Sequence, residues 1–217
     1  MKEHFILAVM WIIYCALHSV LAHMKVKKIF QKSLGSLYRI YRPGYVIFSF
    51  AGLIFLVLYH IQMPVIKVFD KKALFTIIGG LISFGGAFLM LICIRKYFLN
   101  LSGLRSLIYN DSKSELMVTG IHTYLRHPLY LGTFAFIWGL FLMIPHFSVL
   151  IMNTIITFYT LIGIYLEEEK LEAEFGDKYK RYRQTVPGLW PSWRSKRKFE
   201  KTNGWNQYFT DLHLSDR

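Results

Sequence analysis

Long apolar stretches without a charged residue organise this chain. Asp, Glu, Lys and Arg are absent from Phe5 to Ala22, Pro43 to Ile66, Ala73 to Ile94 and Leu129 to Leu166. A bilayer core about 30 Å thick takes about 20 helical residues. The first three stretches therefore predict single membrane spans over 5–22, 43–62 and 73–94. The fourth, as one helix, has a length of about 57 Å, too long for any tilt. Pro145-His146 lies near its middle, and a proline there breaks a helix. Two antiparallel spans, 129–144 and 147–166, joined by a tight turn, are expected. None of the runs alternates with the period of two that an outer-membrane barrel needs. The predicted fold is all-α: a bundle of five transmembrane helices with a C-terminal cytoplasmic helical tail.

Composition agrees. Of 217 residues, 54% are hydrophobic and only 18% charged, against about 25% charged in a soluble domain. Intrinsic disorder is excluded on the same ground. The formal charge of +13 raises nucleic acid as a partner, but its distribution points to topology. Six Lys and Arg fall in 23–42, five in 95–126 and eleven after Leu166, while the remaining flanks hold four. By the positive-inside rule this predicts the N-terminus outside and the C-terminus in the cytoplasm. The basic excess then meets anionic lipid and needs no nucleic acid. Met1-Lys2-Glu3-His4 has no net positive charge whereas Lys25, Lys27, Lys28 and Lys32 follow the first run. That is the reverse of a signal peptide, so the run is kept as a span. Two units are expected, a membrane domain over 1–190, which includes the segment 167–190 after the last span, and a basic tail over 191–217.

Within the spans, Gly79, Gly80, Ser83, Gly85 and Gly86 allow a neighbouring helix to approach closely. Cys15 and Cys93 both lie in apolar stretches, so neither a disulfide framework nor a CxxC metal site is available. His122 and His127 are five apart without an HExxH arrangement, and no metal is expected. His18 and His60 lie in or at the end of spans, hydrogen-bonding to neighbours, with His18 also able to face a substrate cavity.

Polar detail concentrates in Thr119–Gly132 (TGIHTYLRHPLYLG) and Glu167–Tyr182 (EEEKLEAEFGDKYKRY). A hairpin at Pro145 brings both to the cytoplasmic membrane face and sets His127 and Tyr130 near Glu167 and Glu168. Pro128 suits the first turn of a helix, and that helix start favours an anionic group. A basic and aromatic wall faces a carboxylate wall, a pocket suited to a zwitterionic ligand carrying hydroxyls. A plain interfacial belt of Arg126, His127, Tyr124 and Tyr130, with a solvated stripe of Leu171, Phe175 and Tyr179, is the bland alternative.

The run from Arg126 to Pro187, RHPxYxG, a hairpin, then EExxLxxxFGxxYxxYxxxVP, resembles the membrane methyltransferase superfamily of isoprenylcysteine carboxyl methyltransferases and phospholipid methyltransferases. The N-terminal segments LHSVLA, YRIYRPGYVIFS, MPVIKVFD and LNLSGLR are similar to its methanethiol S-methyltransferase and NnrU-like subgroup. The resemblance implies S-adenosyl-L-methionine as methyl donor. It implies donor contacts from Leu116, Met117, His122, His127, Pro128, Leu129, Tyr130 and Glu167, beside Glu168 in the carboxylate wall. His122 stands where the family usually has Tyr. Gly163 replaces an arginine that the carboxyl methyltransferases associate with substrate, so a different acceptor is expected: a small apolar thiol such as methanethiol. A lipid or isoprenylcysteine acceptor, or a non-enzymatic accessory role, is the alternative. Phe98, Asn100 and Ser106 depart from the subgroup's NHFDLFGLRQ, while Gly103, Leu104 and Arg105 remain. A thiol must react as thiolate, and Arg126 or Arg105 is the candidate to favour that form.

Overall fold

A computed structural model describes residues 1–101 and 116–192. Arg105, with Gly103, Leu104 and Ser106, and the basic tail from 193 onward lie outside the described residues. Among the described residues seven α-helices follow one another: α1 (Lys2–Ala22), α2 (Met24–Leu34), α3 (Tyr41–Ile61), α4 (Ala73–Leu101), α5 (Pro128–Met143), α6 (Phe147–Phe175) and α7 (Asp177–Thr185). Short 3-10 turns precede α3 and α5. Among the described residues the extended backbone amounts to one bridge, between Lys67 and His146.

Helices α1, α3, α4 and α6 are long and apolar enough to cross a membrane. Helix α5 is apolar but 16 residues long, about 24 Å. The helix pattern follows the charge-free runs closely, and the break falls at Pro145-His146 as expected. There the loop before α4 grips the turn, with Val68 N–H donating to Pro145 O at 2.8 Å and Phe147 N–H to Ile66 O at 2.8 Å. Large apolar side chains cover the outside: Phe84 is 74% exposed and Leu81 70%. Such a surface suits hydrocarbon and not water.

Helices α4 and α5 touch through their backbones. A Cβ added at Gly86 would lie 2.5 Å from Phe136 N, and one at Gly139 2.6 Å from Ser83 N. Gly79 meets Gly139, and Gly86 meets Gly132, so the two helices run antiparallel with glycines seven residues apart on each. Between the two glycine pairs the Ser83 hydroxyl donates to Phe136 O at 2.7 Å. Of the small residues in α4, Gly79, Ser83 and Gly86 share this face, whereas Gly85 meets nothing within 4 Å. Helix α6 joins α5 through buried Asn153, which donates to Ile137 O at 2.7 Å, and through the Trp138 indole on Thr157 at 3.1 Å. On its other side, Leu7, Trp11, Leu56 and Met63 form a core with Met152, Ile155 and Ile156.

The apolar part of α6 ends at Leu166, but the helix continues through Glu167 to Phe175. Gly176, at φ +55°, then turns the chain, a conformation that costs a residue with a Cβ. The expected stripe is interrupted there: Tyr179 reaches Leu171 and Phe175 from a separate helix, α7. Together with Leu116, Val118, Tyr182 and Val186 they form a second core beneath the membrane helices.

Candidate active site

Two chain segments meet at the start of α5. Residues 187–188 run beside 126–127, where Arg126 N–H donates to Pro187 O at 2.9 Å and His127 N–H to Gly188 O at 3.0 Å. The chain after α7 is thereby tied to the segment that enters α5 at Pro128. The Tyr182 hydroxyl donates to His122 O at 2.7 Å and fixes the turn before it.

Arg126 is spent on this closure. Its guanidinium donates to Glu168 Oε1 through Nε at 2.9 Å and Nη2 at 2.6 Å, and through Nη1 to the carbonyls of Arg183 and Val186 at 2.9 and 2.6 Å. Arg126 and Glu168 side chains are each 11% exposed. His127 Nε2 lies 2.9 Å from the same carboxylate oxygen. Glu168 thus joins the ends of α6 and α7 to the start of α5. It does not line the cavity described next, and Arg126, a candidate from the sequence for stabilising a thiolate, has its donors engaged by the protein itself.

One helical position earlier, Glu167 faces a different space. Its Oε2 accepts from the Tyr130 hydroxyl at 2.9 Å and lies 3.9 Å from His127 Nδ1. Its side chain remains 44% exposed. Adjacent carboxylates therefore have separate tasks, one locking the fold and one oriented toward open volume. That volume is a cavity of about 330 Å³, bordered by Leu116, Met117, His122, Arg126, His127, Pro128, Leu129, Tyr130 and Glu167. It is large enough for a small-molecule ligand. Apart from Glu168, every described residue that the sequence nominated for the site borders it.

Four further residues that sequence reasoning had not assigned to the site complete the wall: Cys93 from α4, Leu171 from α6, and Tyr179 and Tyr182 from α7. The regular spacing of FGxxYxxY is the signal for the two tyrosines; for Cys93 the sequence offers none beyond its apolar surroundings. The Tyr179 hydroxyl is buried and has no hydrogen-bond partner among the described residues. Burial, with the Glu168 charge second, pushes its phenol up to about 12. It stays a donor at any physiological pH. Among the described residues no group of His, Cys, Asp and Glu is arranged to hold a metal ion.

Residues 75–178, from α4 to the start of α7, match the family model described as phospholipid methyltransferase. A methanethiol S-methyltransferase of Crocosphaera subtropica is 30% identical over 187 residues, 82% of this chain and 71% of that protein. The chain belongs to the membrane methyltransferase superfamily. A protein-S-isoprenylcysteine O-methyltransferase of Schizosaccharomyces pombe is 37% identical over 78 residues, covering 35% of this chain and 33% of that protein. Methanethiol S-methyltransferase 1 of Bradyrhizobium diazoefficiens is 38% identical over 74 residues, 34% of this chain and 25% of that protein. No solved structure matches. The protein is an integral membrane methyltransferase, and the non-enzymatic alternative gives way. As in any enzyme of this superfamily, a methyl donor must bind.

Proposed function

We propose that the cavity at the start of α5 binds S-adenosyl-L-methionine and that the protein methylates a small apolar thiol such as methanethiol. The observation that carries the donor reading is the composition of the cavity wall. Glu167 offers an oriented carboxylate for an ammonium or for hydroxyls. The Tyr179 hydroxyl, buried and without a partner among the described residues, offers a donor. Leu116, Met117 and Leu129 offer apolar surface to a flat ring. The donor supplies an electrophilic methyl group on a sulfonium. The protein aligns it and excludes water, which contributes about 7–11 kcal/mol in well-oriented reactions.

Two observations support a thiol acceptor. The relative matched over most of its length is named for methanethiol, and Gly163 leaves no arginine for a prenylcysteine carboxylate. The local likeness to an isoprenylcysteine methyltransferase keeps that acceptor, and a lipid, as the competing arms of the test. With α5 counted as a fifth span, the Lys and Arg asymmetry sets the N-terminus outside and the C-terminus in the cytoplasm of a bacterial inner membrane. The donor then arrives from the cytoplasm and the apolar acceptor from lipid. Reporter fusions after Leu34, Val68, Ser112 and Arg217 are expected to read inside, outside, inside and inside; opposite readings at Ser112 and Arg217 would remove the shared site.

The deciding assay offers purified enzyme in detergent methyl-labelled donor with methanethiol, other thiols, prenylcysteine or phosphatidylethanolamine. Label is expected in the thioether. Label in prenylcysteine or phospholipid alone would overturn the thiol reading.

A further inference from the structure

Outside the cavity, one cluster of polar side chains lies between α1, α3 and α6. His18 of α1 has the Ser49 hydroxyl 3.3 Å from Nδ1, and the Tyr45 hydroxyl 3.0 Å from each ring nitrogen. Both partners come from α3. The Tyr14 hydroxyl donates to Ser49 O at 3.0 Å. From α6, Tyr159 accepts the Ser19 hydroxyl at 3.0 Å and sets its ring edge-on to His18, with centroids 6.3 Å apart. An ionisable side chain among membrane helices is expensive to keep and marks a functional path.

One face of α6 leads from this cluster to the cavity. Tyr159, Gly163 and Glu167 occupy one face of α6 at intervals of four, about 12 Å from end to end. Glu167 belongs to the cavity and Tyr159 to the histidine cluster. At Gly163, between them, no atom of the described residues lies within 4 Å of where a side chain would begin.

We propose that this gap receives the acceptor thiol and that His18 takes its proton. The inference rests on the thiol-methylation reading above. A hydroxyl can donate to a neutral imidazole nitrogen or accept from a protonated one. Protonating His18 therefore sacrifices neither its Tyr45 nor its Ser49 contact. The S–H bond breaks and the proton passes to a ring nitrogen. The electron pair left on sulfur forms the new S–CH₃ bond while the donor's CH₃–S bond breaks, its electrons staying on the donor sulfur. The positive charge that leaves the sulfonium reappears on His18, which returns the proton to bulk water. Among the described residues, the other titratable side chains around His18 are Tyr14 and Cys15 on its own helix, Tyr45 on α3 and Tyr159 on α6. In ordinary surroundings all four ionise above about pH 8, so a histidine is the group here that exchanges protons near neutrality.

The test compares wild type, His18→Gln and Tyr45→Phe with two acceptors, an alkyl thiol and an aryl thiol acidic enough to be ionised at the assay pH. His18→Gln is expected to lower kcat with the alkyl thiol about 100-fold, the scale of general-base catalysis. With the aryl thiol the loss should stay under about fivefold, and the affinity for S-adenosylmethionine should not change. Histidine ¹⁵N spectra of the protein holding the demethylated donor should show one imidazole become imidazolium when an aryl thiol is added in its protonated form. Equal losses with both acceptors, or none, would overturn the proposal. If His18→Gln no longer binds donor, Tyr45→Phe decides: a shifted pH–kcat limb supports the proposal and an unshifted one overturns it. Wild type that methylates no thiol at all would instead overturn the thiol reading beneath it.

Discussion

The α4–α5 interface and the α1–α3–α6 interface use opposite means of joining helices. Where α4 meets α5, glycines bring backbone against backbone, and an added methyl group at Gly86 would overlap Phe136 N and Gly132 O. Where α1 meets α3 and α6, side chains stand between the helices: Trp11, Tyr14, His18 and Tyr45. The first interface carries the start of α5 and has no room to change. The second is laced by hydroxyl contacts. A rigid interface beside one laced by side chains agrees with the donor and acceptor sites proposed above.

That contrast breaks most sharply at the ion pair that closes the rigid half. Glu168→Ala leaves the Arg126 guanidinium without its carboxylate at a site where both are nearly buried. It is expected to cost about 3–5 kcal/mol, read by denaturant titration in micelles, and to abolish donor binding as the chain after α7 comes away. Next, Gly86→Ala forces the glycine interface apart, at about 1–3 kcal/mol for overpacking. Gly85→Ala, one position away but facing open space, is expected to leave stability unchanged or slightly raised. On the looser side, Tyr14→Phe removes one hydroxyl contact to Ser49 O, a loss of about 0.5–1.5 kcal/mol. Smallest of all is Lys180→Ala, whose pairing with Glu172 and Asp177 spans 3.8–3.9 Å with exposed side chains. Removing such a surface pair should change stability by less than about 1 kcal/mol.

Helix placement was legible from the sequence because charge is excluded from hydrocarbon more strictly than any propensity acts. The span ends predicted at 22 and 62, and the break predicted at Pro145, fall at or within a few residues of helix ends at Ala22, Ile61 and Met143. Where charge no longer decides, the pattern misleads. Helix α6 runs nine residues past Leu166, since nothing in water forbids a helix rich in Glu and Lys. Gly176 cuts the stripe that Leu171, Phe175 and Tyr179 suggested, because spacing does not reveal a left-handed turn. The candidate site was legible as a neighbourhood, since a hairpin must return Glu167 to His127. Which of two adjacent carboxylates faces the cavity came only from the family resemblance, which points to Glu167, and not from the residues themselves. That depends on the roughly 100° step per helical residue relative to Arg126 and Tyr130, a matter of packing. Arg126 shows the same limit: a basic residue beside a pocket read as chemistry, yet it holds the chain together.

The central claim is that the start of α5 and the end of α6 bind one methyl donor, through Glu167 and His127, in the cavity beneath them. Titration calorimetry of S-adenosylmethionine into purified protein tests it directly, with wild type, Glu167→Ala, His127→Ala and, outside the cavity, Glu169→Ala. Losing a charged hydrogen bond costs about 1.5–3 kcal/mol, about ten- to hundredfold in affinity. The account predicts that loss for Glu167→Ala, at least as large a loss for His127→Ala, and wild-type binding for Glu169→Ala. Wild-type affinity in both Glu167→Ala and His127→Ala would contradict it.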